Sequence, residues 1–177
     1  MEKRSINFEL RAKPESRTIF GTATVFNSSY DMGWYDEEMD SDSLSKADMN
    51  DVVALFNHDM NMVLARTSSG TLKLNVTGNA MEYEFEAPNT TLGNDLLEMV
   101  KRGDIYQSSF AFTVEAEDWQ ERQGMKPKRI IRSIQKVYDV SPVTYPANPD
   151  TMVAKRSYDA TKEIDKDLLK VIDISVK

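Results

Sequence analysis

The stretch LKLNVTGNAMEYEFE, residues 72–86, decides the fold class because apolar and polar residues alternate in it twice. The alternating apolar positions are Leu72, Leu74 and Val76 and then, after Thr77-Gly78-Asn79, Met81, Tyr83 and Phe85. A period of two residues is typical of a strand with one buried face, and a short Gly- and Asn-containing break between two such runs predicts a hairpin. We therefore predict a β-meander over residues 62–87.

The same reasoning predicts further strands on both sides of this meander. They are Ile6–Leu10, Thr18–Phe26, Val52–Phe56, Ile105–Val114, Arg129–Tyr138 and Val140–Tyr145. One helix is predicted at 90–102, because its apolar residues recur at helical spacing and Gly103 suits the left-handed position that ends a helix. The pattern indicates a mainly antiparallel β (α+β) domain with added helices.

The C-terminal part of the chain has a different composition. Residues 155–177 are rich in charge but keep an apolar stripe at helical spacing, formed by Ile164, Leu168, Val171 and Ile172. We predict that a domain of residues 1–154 is followed by a charged amphipathic helical tail, or by a segment that becomes ordered on a partner.

Composition excludes several classes of function. The 177 residues carry a net charge of −7, which argues against a nucleic-acid-binding protein. Without cysteine, disulfides, thiolate catalysis and cysteine zinc sites are excluded, and a single histidine leaves only a carboxylate site for a hard cation. No cofactor or metal is predicted. No signal peptide and no membrane span is recognisable, so a soluble cytosolic protein is expected.

The single histidine, His58, lies in LFNHDMN, where an apolar run ends at a polar turn. Histidine titrates near neutrality, and the end of a strand is a suitable place for a general base. With a neutral imidazole as base, activity is expected to fall below about pH 6.5. The alternative is an ordinary surface histidine or a hydrogen-bonded core histidine.

Two adjacent serines follow the predicted helix. Strand alternation places Ser109 on the face opposite Phe110 and Phe112, whereas Ser108 shares the aromatic face. Ser109 is therefore the better candidate for a nucleophile, provided that a base lies near it. The alternative is an ordinary strand serine.

Asp139 interrupts an apolar run and must therefore reach solvent or find a hydrogen-bond donor. The ring N–H of His58 is a suitable donor, since this bond leaves the other ring nitrogen free as a base. Asp139 could instead bond its own backbone in a turn. Asp59 is a rival partner for His58, but adjacent strand residues point to opposite faces.

These segments, taken in order, resemble the prohead serine proteases of tailed phages, which cleave scaffold and capsid protein inside the procapsid. The resemblance rests on short motifs over about 150 residues. They are GTATVF at 21–26, residues 38–44 beginning with Glu38-Met39, LFNHD at 55–59, LARTSSGTL at 64–72, VKRGDI at 100–105, SFAF at 109–112 and YDVSPVTYPA at 138–147.

The resemblance implies a closed antiparallel β-barrel flanked by helices, similar to herpesvirus assembly proteases. It also implies a triad of catalytic residues: Ser109 as nucleophile, His58 as base and Asp139 as the acidic member, where the family often has Glu. Ala65 departs from the family pattern, which often has Gly there, and the tail after Arg156 has no matched counterpart. Separately, three arginines are candidates to orient a water or an oxyanion loop: Arg66, Arg102 and Arg132.

Two hypotheses about function fit the sequence, one for an enzyme and one for a structural protein. In the first, the chain is a serine endopeptidase that cleaves major capsid protein, scaffold segments and itself. It acts inside the assembling procapsid in the host cytoplasm, and a homodimer is expected by analogy with herpesvirus relatives. In the second, it is a non-catalytic β-barrel module of a capsid, in which His58 and Ser109 are incidental polar residues.

Overall fold

The computed structural model of the chain describes residues 1–13, 15–145 and 154–163, without the side chains of residues 5–9. Its ten strands are β1 Glu2–Ala12, β2 Thr18–Val25, β3 Ser29–Asp31, β4 Asp36–Met39, β5 Val53–Leu55, β6 Val63–Arg66, β7 Leu72–Val76, β8 Ala80–Glu86, β9 Gln107–Gln120 and β10 Lys128–Val143. The helices are α1 Thr91–Arg102 and α2 at residues 154–163. The described part of the chain is therefore mainly β, as its alternating pattern predicts.

The strands form one sheet in the order β3-β4-β10-β9-β1-β2-β8-β7. β10 also pairs with β5, and β5 pairs with β6, so the sheet branches beside β10. The predicted meander over residues 62–87 is confirmed only in its hairpin, where β7 and β8 pair antiparallel with Leu72 opposite Phe85 and Val76 opposite Met81. Its first strand, β6, pairs with β5 and not with β7, so the meander as a whole is wrong. The long strand β10 thus pairs with β9 along one of its sides and with β4 and β5 along the other.

The predicted closed antiparallel barrel is wrong. A barrel requires the two outermost strands to pair with each other. Among the described residues the sheet is open, since β3 pairs with β4 at one end and β7 pairs with β8 at the other. The sheet is not purely antiparallel either, because β10 runs parallel to both β4 and β5.

Strands β9 and β10 are longer than the sequence pattern suggests. Their hairpin extends to Gln120 and Lys128, through a stretch with little apolar alternation. Cross-strand ion pairs support this end, because Arg132 contacts Asp118 at 2.7 Å and Arg129 Nε donates to Glu117 at 2.7 Å. Charged pairs across the ladder thus replace apolar contacts there.

The predicted helix is confirmed as α1, and it ends at Gly103 as expected. Thr90 Oγ1 accepts a hydrogen bond from Gly93 N at 3.2 Å, and Gly103 takes the left-handed conformation with φ of 79°. The buried residues Leu96, Leu97 and Val100 of α1 join the core cluster that includes Phe110 and Phe112 of β9. The aromatic face of β9 is therefore committed to the core.

Helix α2 belongs to a second, aromatic cluster. Its Ala154 is buried against Trp34 and Trp119, and Ser157 lies 3.1 Å from Trp119 Nε1. The apolar stripe predicted from Ile164 onward lies outside the described residues, so the division into residues 1–154 and a tail stays a prediction. No helix in the described ranges is long and apolar enough to cross a membrane.

Candidate active site

Two neighbouring strands carry the polar residues of the candidate site. In the β9–β10 ladder, Ser109 lies directly opposite Ser141, and Asp139 lies opposite Ala111. The register shifts between Val137 and Asp139. Since residues two apart on a strand share a face, Asp139 and Ser141 point to the same side of β10.

His58 is carried by a tight turn just after β5. Asn57 and His58 both adopt the left-handed conformation, with φ of 54° and 57°. This region is unfavourable for residues other than glycine, and such strain persists where the surroundings hold it in place. The chain thus turns back sharply and places the imidazole over β9 and β10.

Asn57 fastens this turn to the end of β10. Its backbone N–H donates to the Pro142 carbonyl at 3.0 Å, and its side-chain oxygen accepts from the Thr144 N–H at 2.9 Å. Its amide nitrogen also donates to Thr144 Oγ1 at 3.3 Å. These three bonds account for how an unfavourable turn is held in one orientation.

The structure brings His58, Ser109 and Asp139 together in one hydrogen-bonded chain. His58 Nε2 lies 2.7 Å from Ser109 Oγ, and His58 Nδ1 lies 2.6 Å from Asp139 Oδ1. An ionised carboxylate only accepts, so the tautomer protonated at Nδ1 donates to Asp139 and leaves Nε2 as an acceptor for the Ser109 proton. This arrangement can withdraw a proton from a hydroxyl.

The three hydrogen-bonded residues are almost fully enclosed by the rest of the protein. Ser109 is 0% exposed, and the side chains of His58 and Asp139 are 5% and 6% exposed. Ser141 is equally buried, and its Oγ donates to Asp139 Oδ1 at 2.7 Å. We call these four residues the His58 cluster. Water is largely excluded from it, which strengthens each of its polar interactions.

The Ser109 hydroxyl has a second acceptor within reach. Its Oγ lies 2.9 Å from the main-chain carbonyl of Arg4 on β1. A hydroxyl has one proton, so it donates either to the Arg4 carbonyl or to His58 Nε2. Rotation about one bond therefore exchanges a resting hydroxyl for one that faces the base.

The rival candidates from the sequence lie elsewhere. Ser108 contacts Tyr83 Oη at 2.8 Å in the core, which accounts for a polar group on the aromatic face. Asp59 accepts from the Asn61 N–H at 2.8 Å and closes its own turn. Their described contacts therefore do not join the His58 cluster.

The three candidate arginines each pair with a neighbouring aspartate. Arg66 contacts Asp51 at 2.5 Å, and Arg102 contacts Asp104 at 3.1 Å. Arg132 bridges to aspartates on two strands, Asp40 at 2.6 Å and Asp118 at 2.7 Å. None of these described ion pairs includes a member of the His58 cluster, so the arrangement gives no support for a role in the chemistry.

A second buried polar group was not predicted from the sequence. We call it the ion cluster, and it consists of Glu2, Arg4, Glu37, Glu117 and Arg129. Arg129 Nη1 contacts Glu2 at 2.7 Å and Glu37 at 3.0 Å, while Arg4 contacts both carboxylates from the other side. Arg4 and Arg129 are 2% and 1% exposed.

Pairing favours the charged forms of Arg4 and Glu2 in the ion cluster despite their burial. Burial opposes the charged form of Arg4, but the Glu37 and Glu2 carboxylates raise the pKa of Arg4 above its ordinary value. Burial likewise opposes the charge of Glu2, but the hydrogen bond from Arg129 and the nearby Arg4 charge lower the pKa of Glu2. The sequence signal was weak, because alternating charges on a terminal strand also suit a solvent-facing strand.

No group of three or more acidic or histidine side chains suited to a metal ion occurs in the described residues. The candidate chemistry rests on the hydroxyl, the imidazole and the carboxylate of the His58 cluster. This is the set that acyl transfer through a serine uses on several unrelated folds.

Comparison with known proteins gives one match. No curated protein and no solved structure matches the chain. A family model, described as caudovirus prohead serine protease, matches residues 6–164, which include all four members of the His58 cluster. Because this match spans most of the chain, the protein belongs to the caudovirus prohead serine protease family.

Proposed function

We propose that this protein is the serine endopeptidase of procapsid maturation and that Ser109, His58 and Asp139 form its catalytic triad. The observation that carries the proposal is the continuous hydrogen-bonded chain from Ser109 Oγ through the imidazole to Asp139. Family membership supports serine peptidase activity in general. The two together favour one specific nucleophile and one specific base.

The mechanism follows from which atom faces which. Ser109 Oγ attacks the carbonyl carbon of a peptide bond while His58 Nε2 takes its proton. Asp139 accepts the Nδ1–H bond and stabilises the imidazolium that forms. His58 then gives the proton to the leaving amine. A water molecule, activated in the same way, hydrolyses the acyl-enzyme and frees Ser109.

An opening step precedes attack. Ser109 is fully buried, and a substrate carbonyl has to approach its oxygen to within about 3–3.5 Å. The segments around the site therefore move before an extended peptide binds.

The substrates that we propose are scaffold segments and the major capsid protein, together with the protease itself. Prohead proteases act inside the procapsid, where these proteins surround the enzyme at high local concentration. We propose the same location, within a procapsid in the host cytoplasm. The homodimer and the absence of nucleic-acid and membrane partners stay predictions.

A fluorophosphonate label tests the triad directly, because it phosphonylates an activated serine hydroxyl. We expect one modified residue, identified as Ser109 by mass spectrometry, and loss of labelling in Ser109→Ala and His58→Ala. Labelling at Ser108 would contradict the choice of nucleophile. Folding of each variant is checked by circular dichroism, so that loss of labelling is not loss of structure.

Cleavage tests the substrates separately. The chain is co-expressed with a capsid or scaffold segment, and cleavage is followed by mass spectrometry. We expect cleavage that disappears in Ser109→Ala and His58→Ala. If the wild type neither cleaves nor takes up the label, the non-catalytic capsid module replaces the protease.

A further inference from the structure

The hydroxyl of Ser141 has no part in the mechanism above, yet it lies on the carboxylate that the mechanism uses. It is 0% exposed and donates to Asp139 Oδ1 at 2.7 Å. We propose that Ser141 is a positioning residue, which fixes the Asp139 carboxylate against His58. This proposal rests on the proposed function, because it concerns the same three side chains.

The direction of the Ser141 hydrogen bond follows from counting protons. Ser141 Oγ also lies 3.3 Å from His58 Nδ1, so two partners are within reach of its one proton. In the tautomer that leaves Nε2 free for Ser109, Nδ1 carries a hydrogen and has no lone pair to offer. The Ser141 proton therefore goes to Asp139.

The two donors share one carboxylate oxygen. Asp139 Oδ1 accepts from His58 Nδ1 and from Ser141 Oγ. The terminal torsion of an aspartate has a broad energy profile, so a single hydrogen bond leaves the carboxylate free to rotate. A second donor from its own strand holds the oxygen in place against His58 Nδ1. It also compensates for burial of a charged group.

Ser141 cannot exchange roles with Ser109, although the two are opposed in the ladder. Ser109 faces the nitrogen that accepts a proton, whereas Ser141 faces the protonated nitrogen and the carboxylate. The two serines thus act at opposite ends of the imidazole. Ser109 reacts, and Ser141 holds the third member in place.

The inactivation kinetics of the fluorophosphonate measure this role. We expect Ser141→Ala to lower the maximal inactivation rate about 10-fold, the effect of one hydrogen bond to a charged group, with the half-saturating concentration unchanged. Ser108→Ala is the matched control, because it removes a buried serine hydroxyl that bonds Tyr83. We expect that control to stay within about twofold of the wild type.

A double-mutant cycle separates positioning from a general structural role. If Ser141 acts through Asp139, Ser141→Ala slows wild type about 10-fold but changes the rate of Asp139→Ala by less than about twofold. Proton NMR gives a second readout, since the chain has one histidine and hence one Nδ1–H resonance at low field. We expect Ser141→Ala to shift or broaden that resonance and Ser108→Ala to leave it in place.

The possible outcomes test the positioning role of Ser141 and the proposed protease function separately. Equal effects of Ser141→Ala in both backgrounds, or an unchanged rate and resonance, would overturn the positioning role while labelling of Ser109 still supports the protease. An unlabelled wild type would instead overturn the proposed function. If the alanine variant does not fold, Ser141→Cys replaces it, because a thiol has similar size and is a weak donor. The same slower rate is expected, and a wild-type rate would contradict the role.

Discussion

The His58 cluster and the ion cluster are both buried on the same sheet, but they differ in the kind of polarity that they contain. The first consists of two hydroxyls, an imidazole and one carboxylate, joined by short hydrogen bonds. The second consists of guanidinium and carboxylate groups, and their pairing raises the pKa of Arg4 and Arg129 and lowers the pKa of Glu2. The hydrogen bonds of the first cluster join a hydroxyl to an imidazole nitrogen that can accept its proton, whereas the second cluster is held by ion pairs.

Arg4 connects the two clusters through different parts of one residue. Its guanidinium lies in the ion cluster, and its main-chain carbonyl accepts from the Ser109 hydroxyl. Buried polar residues therefore do not by themselves indicate chemistry. An imidazole that sits on a strained turn and contacts a serine hydroxyl indicates chemistry, while ion pairs around the N-terminal strand indicate structural support.

The largest effect that we predict is the loss of activity in Asp139→Asn. An amide in place of the carboxylate favours the wrong imidazole tautomer, so the labelling rate should fall about 10⁴-fold. The variant should still fold, since the amide fits the same space. Fluorophosphonate kinetics and thermal unfolding check both statements. A rate within tenfold of the wild type would remove Asp139 from the mechanism.

Arg129→Met should show the opposite behaviour, with its main effect on stability. The change leaves carboxylates Glu2, Glu37 and Glu117 without one of their shared partners. Loss of one partner in a buried ion pair destabilises a fold by about 3–5 kcal/mol. Urea unfolding measures the free energy of unfolding, with circular dichroism as the signal.

Arg132→Met is the matched control for this measurement. Arg132 also bridges two carboxylates, but its side chain is 42% exposed. Exposed ion pairs contribute little, so its urea midpoint should stay close to that of the wild type. Equal shifts in the two variants would show that burial does not set the importance of the ion cluster.

A change in the turn that carries His58 should have a smaller effect, on both stability and activity. Asn57→Ala places a side chain without hydrogen bonds in a left-handed conformation and should lower stability by about 1–2 kcal/mol. It should also slow labelling about 10-fold, because the imidazole loses its fixed orientation. Thermal unfolding and labelling rates test the two parts.

Asn27→Ala serves as the control for backbone strain alone. Asn27 has φ of 53°, close to the 54° of Asn57, but lies in the turn after β2. It should lose a similar amount of stability and keep its labelling rate. If both variants slow labelling equally, the hydrogen bonds between Asn57 and the end of β10 have no specific part in activity.

Local features of the fold could be predicted from the sequence, because they depend on residues close in the chain. The β7–β8 hairpin and α1 with its terminal Gly103 follow from patterns within about 15 residues. The open sheet could not be predicted. It depends on β10 pairing in parallel with β4 and β5, and distant strands leave no local signal of register.

Part of the candidate site could likewise be predicted from the sequence, and part could not. His58, Ser109 and Asp139 were named from residue type and family resemblance, without any knowledge of distances. Ser141 belongs to the same motif, but its contact with Asp139 depends on a side-chain direction that the sequence does not encode. The ion cluster was missed because Glu2 and Arg129 are 127 residues apart.

The smallest predicted effect concerns acid. Because pairing holds the pKa of Glu2 below its ordinary value of 4.5, this pairing stabilises the folded protein above about pH 4.5, and the contribution is lost as pH falls further. In Glu2→Gln the amide does not titrate, so stability should fall less steeply below pH 4.5 than in the wild type. Urea midpoints at several pH values between 3 and 6 measure the two slopes.

Glu2 is the member of the ion cluster whose loss should also be felt at Ser109. It lies on β1 opposite Phe112, three positions along β9 from Ser109, and it holds Arg4, whose carbonyl accepts the Ser109 hydroxyl. Loss of the Glu2 charge should loosen β1, weaken that bond and leave His58 Nε2 as the remaining acceptor. Glu2→Gln should therefore alter the labelling rate slightly at neutral pH while Arg132→Met does not. Parallel slopes for Glu2→Gln and the wild type would mean that other groups dominate acid unfolding.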